Sequence, residues 1–253
     1  MRTGEAMDMA ARSGASPCPR LMEDDALFLD LDGTLLDIAP TPAAVVVPPG
    51  LLDALRTLRD SLGDAVAVVS GRPVEQIEAL LECVPYAVAG EHGGAIRPAP
   101  GAALERPDLP TVPPGWLERA ERAAAGTPGV LLERKAHGFV LHYRLAPAAG
   151  PALYQVVLAM LADGGAEFTV TPARKAWEVR PRGADKGRAV YRLMARPPFA
   201  GRVPVYVGDD VTDEDGMRAA RQLGGLGLKV QDRFGDAAGV RAWLGDLARS
   251  HFS

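Results

Sequence analysis

The stretch Ala26-Leu27-Phe28-Leu29-Asp30-Leu31-Asp32-Gly33-Thr34 decides the fold. An apolar run without the alternation of a half-wet strand suits a strand buried on both faces, as in a parallel sheet. Two carboxylates and a glycine stop the run. Residues two apart at a strand end project to the same side. Asp30 and Asp32 are therefore expected to point together into the crevice beyond the carboxyl ends of a parallel sheet, with Gly33 permitting the turn. Taken alone, the pair also reads as a loop cap.

Working outward, Leu51, Leu52, Leu55 and Leu58 recur at helical spacing, and Ala65-Val66-Ala67-Val68-Val69 is a second buried strand. Ser70-Gly71-Arg72-Pro73 follows, with Pro73 at the first helical position, and Ile77, Leu80 and Leu81 form the apolar face of the next helix. Strand, helix, strand, helix predicts an α/β domain with a parallel, Rossmann-like sheet. The rhythm returns near the C-terminus, with a helix over Gly187–Met194, strands over Val203–Val207 and Leu226–Val230, and a helix over Val240–Leu247. The middle differs. A Pro-rich stretch leads to a helix near Trp116–Ala125, then to strands over Val130–Lys135, Phe139–Arg144 and Ala176–Arg180, with a helix over Tyr154–Leu161. We therefore expect an α+β insert over 100–181 between two halves of one α/β domain, 24–99 and 182–253. Residues 1–23 lack periodicity and read as a mobile leader.

Composition removes whole classes of function. Against 28 Lys and Arg stand 32 Asp and Glu, a net charge of −4 that argues against nucleic-acid binding. With 47% hydrophobic and 24% charged residues, a folded core is expected. Two cysteines, Cys18 and Cys83, exclude a disulfide framework and multi-cysteine metal sites, and suit a reducing compartment. Cys83 reads as an inert thiol among apolar neighbours. Apolar stretches such as Val156–Ala162 are too short to span a bilayer. The first residues lack the apolar run of about 7–15 residues of a signal peptide, so a cytoplasmic protein with no membrane role is expected. No oligomerisation stripe stands out. A monomer is the working expectation, with docking of a synthase partner left open.

Three further places carry chemistry. Ser70, after the second strand, offers a hydroxyl and nearby N–H groups where a phosphate could sit, although alone it reads first as a plain N-cap. Gly208-Asp209-Asp210-Val211-Thr212-Asp213-Glu214-Asp215 follows the C-terminal strand, and so dense an acidic cluster is costly without a cation. Lys186 is one of only four lysines, with Lys135, Lys175 and Lys229, in a chain whose other cations are Arg. Such scarcity makes each lysine worth locating.

In order, DLDGT, VVSGR, DKG and GDDVTDED resemble the four motifs of the haloacid-dehalogenase-like phosphatases, over about residues 26 to 249. Glu91-His92-Gly93, Glu133-Arg134-Lys135, His142-Tyr143-Arg144 and Lys175-Ala176-Trp177-Glu178-Val179-Arg180-Pro181 are similar to motifs of the trehalose-6-phosphate phosphatases. The resemblance implies a haloacid-dehalogenase core whose insert caps the site, and Mg²⁺-dependent release of phosphate from trehalose 6-phosphate. Sucrose phosphate or a glycosyl-phosphoglycerate is the alternative substrate. It implies Asp30 as nucleophile and Asp32 as acid then base, with Ser70 and Lys186 on the phosphoryl oxygens. The metal would be held by Asp30, the backbone carbonyl of Asp32, and Asp209, with Asp213 as an outer or water-mediated ligand and Asp210 unassigned. Gly33, Thr34, Arg72, Glu91, His92, Gly93, Glu133, Lys135, Arg144, Lys175, Glu178 and Arg180 are implied around the substrate; Arg144 reads equally as an ion-pair partner and His92 as structural. Strand alternation is expected to put Glu133 and Lys135 on one face and Glu178 and Arg180 on another. Asp32 is expected to hold its proton beside another carboxylate. Trp177 and Tyr143 read as packing residues.

Overall fold

The computed structural model describes residues 19–39, 44–135, 137–173 and 175–250. It divides into two compact units, one comprising the chain up to Glu105 together with Asp185 onward, the other Arg106–Ala184. The first unit is built on a sheet of β1 (Asp25–Leu29), β2 (Val66–Val69), β3 (Ala87–Gly90), β4 (Ala95–Arg97), β9 (Val203–Gly208) and β10 (Leu226–Lys229). Their order across the sheet is β10-β9-β1-β2-β3-β4, parallel except for β4. From β1 the chain adds β2 and β3 on one side and later β9 and β10 on the other. The crevice at the carboxyl end of β1 is thus the topological switch point of the sheet.

Alternation along each strand sends side chains to two separate cores. Leu27 and Leu29 of β1, Val66 and Val68 of β2, and Val205 and Val207 of β9 meet helices α1 (Leu51–Ser61), α2 (Val74–Leu81) and α8 (Ala237–Ser250). Ala26, Phe28, Ala65, Ala67, Ala87, Ala89 and Tyr206 face the opposite way, toward α5 (Lys186–Met194) and α6 (Asp213–Gln222). Small side chains dominate that second layer, and Phe28, Phe199 and Tyr206 fill it. Every side chain of β1 is buried, which for each of its large apolar residues is worth about 1.5–3 kcal/mol. A sheet covered by helices on both faces is the α/β class expected from the strand runs.

The second unit is an antiparallel sheet in the order β5-β6-β8-β7, from β5 (Leu131–Arg134), β6 (Phe139–His142), β7 (Phe168–Ala173) and β8 (Ala176–Pro181). Helices α3 (Pro114–Ala125) and α4 (Gly150–Ala162) supply Trp116, Ala120, Leu153, Val157 and Met160 to a core with Phe139, Leu141, Phe168 and Val179. Trp177 and Tyr143 pack at this core, the indole stacking against Tyr154 and donating from Nε1 to Gly150 O at 2.8 Å.

The divisions between the units differ from residues 100 and 181. Ile96 and Glu105 exchange backbone hydrogen bonds, and the Glu105 carboxylate binds Arg192 of α5 and Arg196 just beyond it, so the chain stays with the first unit through Glu105. At the return, Arg180 donates to Ala184 O at 2.7 Å and ties residues 182–184 to β8. Most of the expected leader lies outside the described residues. Of its last residues, Leu21 is buried and Pro19 accepts from the indole of Trp243 at 2.8 Å, so this end is packed. Cys83 is exposed rather than set among apolar neighbours, because it leaves α2 at a positive φ of 55°. No described helix is long and apolar enough to cross a membrane.

Candidate active site

The switch-point crevice gathers charge from five elements. Asp30 follows β1, its N–H donating to Val207 O at 2.9 Å, so the first strand delivers it level with the end of β9. Lys186, the first residue of α5, donates from Nζ to Asp30 Oδ1 and to Asp213 Oδ1, both at 2.7 Å. Thr34 Oγ1 donates to Asp30 Oδ2 at 3.2 Å. Asp213 opens α6 with no exposed surface, and also accepts from the Tyr206 hydroxyl at 2.7 Å and from Asp210 N at 3.0 Å. The side chain of Asp210 turns back on its own loop, accepting from Val211 N at 2.7 Å.

Glycine makes this proximity possible. Gly33 holds φ +91°, and a Cβ there would lie 2.3 Å from Oδ2 of Asp209. At Gly208 a Cβ would lie 2.3 Å from Cγ of Asp213. Carboxylate oxygens of Asp30, Asp209 and Asp213 consequently come within 4.8 Å of one another. Three acidic groups against one ammonium leave an excess of buried negative charge, which is costly unless a cation joins them. Hard oxygen donors in such a set fit Mg²⁺. Burial first, and the charge of Asp213 next, push the Asp30 carboxyl well above the usual carboxylate range, with Lys186 pulling against both. Burial disfavours the ammonium of Lys186, but Asp30 and Asp213 outweigh it and hold the group above its ordinary value. Burial likewise pushes the Tyr206 phenol up, with Asp213 and Asp30 adding to it, so the hydroxyl is a donor.

Beside this cluster Arg72 grips Asp32, Nε to Oδ2 at 2.6 Å and Nη2 to Oδ1 at 2.7 Å. The neighbour of Asp32 is therefore a guanidinium and not the second carboxylate expected, because the β1–β2 register brings the loop after β2 alongside. Ser70 is buried, with its N–H on Ala89 O at 2.8 Å and its Oγ accepting from Arg72 N at 3.2 Å. It is not a helix N-cap: α2 starts later, with Pro73 at that position. Glu91, His92 and Gly93 hold successive φ values of 53°, 55° and 91°, a left-handed turn that non-glycine residues rarely adopt. The turn is locked by Glu91 N on Arg72 O at 2.9 Å and His92 N on Ser70 O at 3.0 Å. His92 lies against Gly71, where a Cβ would fall 2.6 Å from its Nε2, and at Gly93 a Cβ would fall 2.8 Å from Asp185 O.

Within the second unit, Glu133, Val140, Glu178 and Thr171 stand opposite one another across β5, β6, β8 and β7. Glu133 and Glu178 thus share one face, away from α3 and α4. Lys135 confirms it by donating to Glu178 Oε1 at 2.7 Å. The expectation of two faces fails because antiparallel register, not sequence separation, sets which positions align. By alternation Arg180 joins Glu178 there. His142 Nε2 lies 2.8 Å from Glu133 Oε2, and this hydrogen bond, against burial, holds Glu133 below the usual carboxylate range. Lys175 is exposed at φ 53° between β7 and β8, and Arg144 is exposed in the turn after β6.

A family model described as trehalose-phosphatase matches residues 28–237, a span that contains all of these residues. The chain belongs to the trehalose-phosphatase family. It is 39% identical over 214 residues to a probable trehalose-phosphate phosphatase of Sinorhizobium fredii, covering 83% of this chain and 78% of that one. To the trehalose-6-phosphate phosphatase of Escherichia coli it is 35% identical over 214 residues, covering 84% and 79%. Among solved structures, Aspergillus fumigatus trehalose-6-phosphate phosphatase superposes with a TM-score of 0.61 at 26% identity, covering 92% of this chain and 99% of that one. A haloacid dehalogenase-like hydrolase from Bacteroides thetaiotaomicron shares the fold, with a TM-score of 0.61 at 13% identity, covering 88% and 99%. Membership of the trehalose-phosphatase family makes the chain a phosphatase.

Two participants in this cluster of the first unit escape a reading of the sequence. Tyr206 is one; its signal is a hydroxyl in the middle of an otherwise apolar strand run, which must find a partner when buried. Gln231, at the start of the short helix α7 (Val230–Arg233), donates to Asp209 O at 3.1 Å and has no local signal.

Proposed function

We propose that the chain is a Mg²⁺-dependent phosphatase that hydrolyses trehalose 6-phosphate to trehalose and inorganic phosphate through an aspartyl-phosphate on Asp30. The observation that carries this reading is the bridge of Lys186 between Asp30 and Asp213, with Asp209 in the same cluster, at the switch point of a trehalose-phosphatase fold. Asp30, Asp209 and the backbone carbonyl of Asp32 would hold the ion, with Asp213 outside them, its oxygens already taken by Lys186, Tyr206 and Asp210 N. When bound, Mg²⁺ supplies positive charge against the phosphoryl oxygens and the carboxylates.

The residues divide the reaction between them. Asp30, fixed by Lys186 and Thr34, attacks phosphorus with a carboxylate oxygen; the bond from phosphorus to the sugar oxygen breaks, and Asp32 gives that oxygen its proton. Water then attacks the acyl phosphate, Asp32 takes a proton from it, and phosphate leaves with Asp30 restored. While Arg72 occupies both oxygens of Asp32, that carboxylate can only accept hydrogen bonds, so delivery of a proton requires the fork to open. Lys186 and Ser70 balance charge on the transferring group, which makes catalysis chiefly positioning and electrostatics. A phosphate site cannot tell one sugar phosphate from another. We assign that discrimination to the polar face of the second unit, where Glu133, Lys135, Glu178 and Arg180 gather directional, charge-assisted bonds suited to sugar hydroxyls.

The test is phosphate release from a panel of sugar phosphates with Mg²⁺ and with EDTA. Preference for trehalose 6-phosphate, lost in EDTA, is expected. Preference for sucrose phosphate or a glycosyl-phosphoglycerate would overturn the substrate, and activity undiminished by EDTA would overturn the metal.

A further inference from the structure

We propose that Tyr206 is a positioning residue for the cation site, acting through Asp213 and Lys186; this rests on the metal reading above. Tyr206 lies in the middle of β9, fully buried, and its hydroxyl donates to Asp213 Oδ1 at 2.7 Å. The same oxygen receives Lys186 at 2.7 Å, and Lys186 also holds Asp30 at 2.7 Å. One ammonium is thus divided between two carboxylates, and the phenol supplies part of what Asp213 requires. Without the hydroxyl, Oδ1 of Asp213 keeps Lys186 as its one remaining donor of this pair. The ammonium is then drawn toward Asp213 and away from Asp30, and both carboxylates leave the arrangement that brings them together with Asp209.

The slot for the phenol is built by glycine. Gly216 of α6 faces the ring, and a Cβ there would lie 2.4 Å from its Cε2 and 2.5 Å from its Cζ. Gly187 of α5, next to Lys186, is as crowded: a Cβ would lie 2.6 Å from Asp215 O. The two helices that carry Lys186 and Asp213 therefore approach closely because Gly187 lacks a side chain, and the phenol fills the space that Gly216 leaves between α6 and the sheet. Plain packing would be met by Phe. The hydroxyl adds a hydrogen bond to one of the two carboxylates of the cluster that Lys186 bridges, and that is a role of orientation.

Tyr206→Phe keeps the ring and removes only the hydroxyl. Mg²⁺ binding to the purified enzyme without substrate, read by titration calorimetry, is expected to weaken about tenfold or more, as for loss of other groups that orient metal ligands. The melting temperature in EDTA should fall by about 3–12 °C, the loss of one hydrogen bond to a charged group in a chain of this size. Gly216→Ala, which pushes the ring without removing the hydroxyl, should weaken Mg²⁺ in the same direction. Wild-type binding in a folded Tyr206→Phe variant overturns the inference. If that variant does not fold, wild-type binding by Gly216→Ala overturns it instead. Absence of Mg²⁺ binding by the wild-type enzyme would overturn the metal reading and this inference together, whereas equal binding by wild type and variants overturns the inference alone.

Discussion

Arg72 closes on both carboxylate oxygens of Asp32, at 2.6 and 2.7 Å, in a fork that only a planar guanidinium can make. The two residues lie 40 apart in sequence and meet because β1 and β2 are paired, which puts the loops that follow them side by side. The pair ties the proposed acid to the loop that also holds Ser70, so until the fork opens Asp32 and the Ser70 hydroxyl are held as one piece. Arg72→Ala should leave Asp32 free to turn away and lower kcat on an aryl phosphate about 10- to 100-fold, the range expected when a reacting group is misplaced by about 1 Å. Arg72→Lys should not restore it, since an ammonium cannot engage both oxygens at once. Full rescue by Lys in steady-state kinetics would show that charge, not the fork, is what Asp32 requires.

Lys186 stands between Asp30 and Asp213 with almost no exposed surface, so its removal strands two buried carboxylates. Lys186→Met should cost about 3–5 kcal/mol of stability at pH 7 in EDTA. The pH dependence has a definite sign. Burial already holds the Asp30 carboxyl above its ordinary range in the folded chain, so what this group contributes is present at low pH and is lost as pH rises from about 4 through the folded value. Without the ammonium that opposes burial, the loss is greater. The deficit of the variant should therefore be widest at neutral pH and shrink toward pH 4, where a proton on Asp30 removes the charge that the ammonium otherwise meets. Urea unfolding at the two pH values checks this, and an equal deficit at both would refute it.

What the sequence reveals and what it hides divide along physical lines. Asp30, Asp32, Asp209 and Asp213 are legible because each stands where an apolar run ends or a helix begins, and those boundaries are local. β3 escapes because Ala87-Val88-Ala89-Gly90 has too few large side chains to register as a strand; it is held by pairing with β2. β7 escapes because Pro172 interrupts its run, and the structure tolerates that proline because β7 is an edge strand. The contacts of Tyr206, His142 and Arg72 depend on which strands become neighbours. That is set by burial summed over the whole sheet, and no local pattern announces it.

Lys135 and Glu178 are the pair through which sugar selectivity is open to test. Their bond, 2.7 Å from Nζ to Oε1, crosses from the end of β5 to β8 on the face away from the helices. If this face recognises the sugar, Glu178→Ala should lower kcat/KM on trehalose 6-phosphate about 10- to 150-fold, the worth of a hydrogen bond to a charged group at about 1.5–3 kcal/mol. Turnover of a small aryl phosphate, which has no sugar to recognise, should change little. Because Lys135 loses its partner in that variant, Lys135→Ala should add less in the Glu178→Ala background than it costs alone, the mark of two groups that act as a unit. A merely structural pair would lower activity on both substrates alike, through stability, and would leave the ratio of the two kcat/KM values where it is in the wild-type enzyme. That ratio, measured across the four proteins of the cycle, is the decisive quantity.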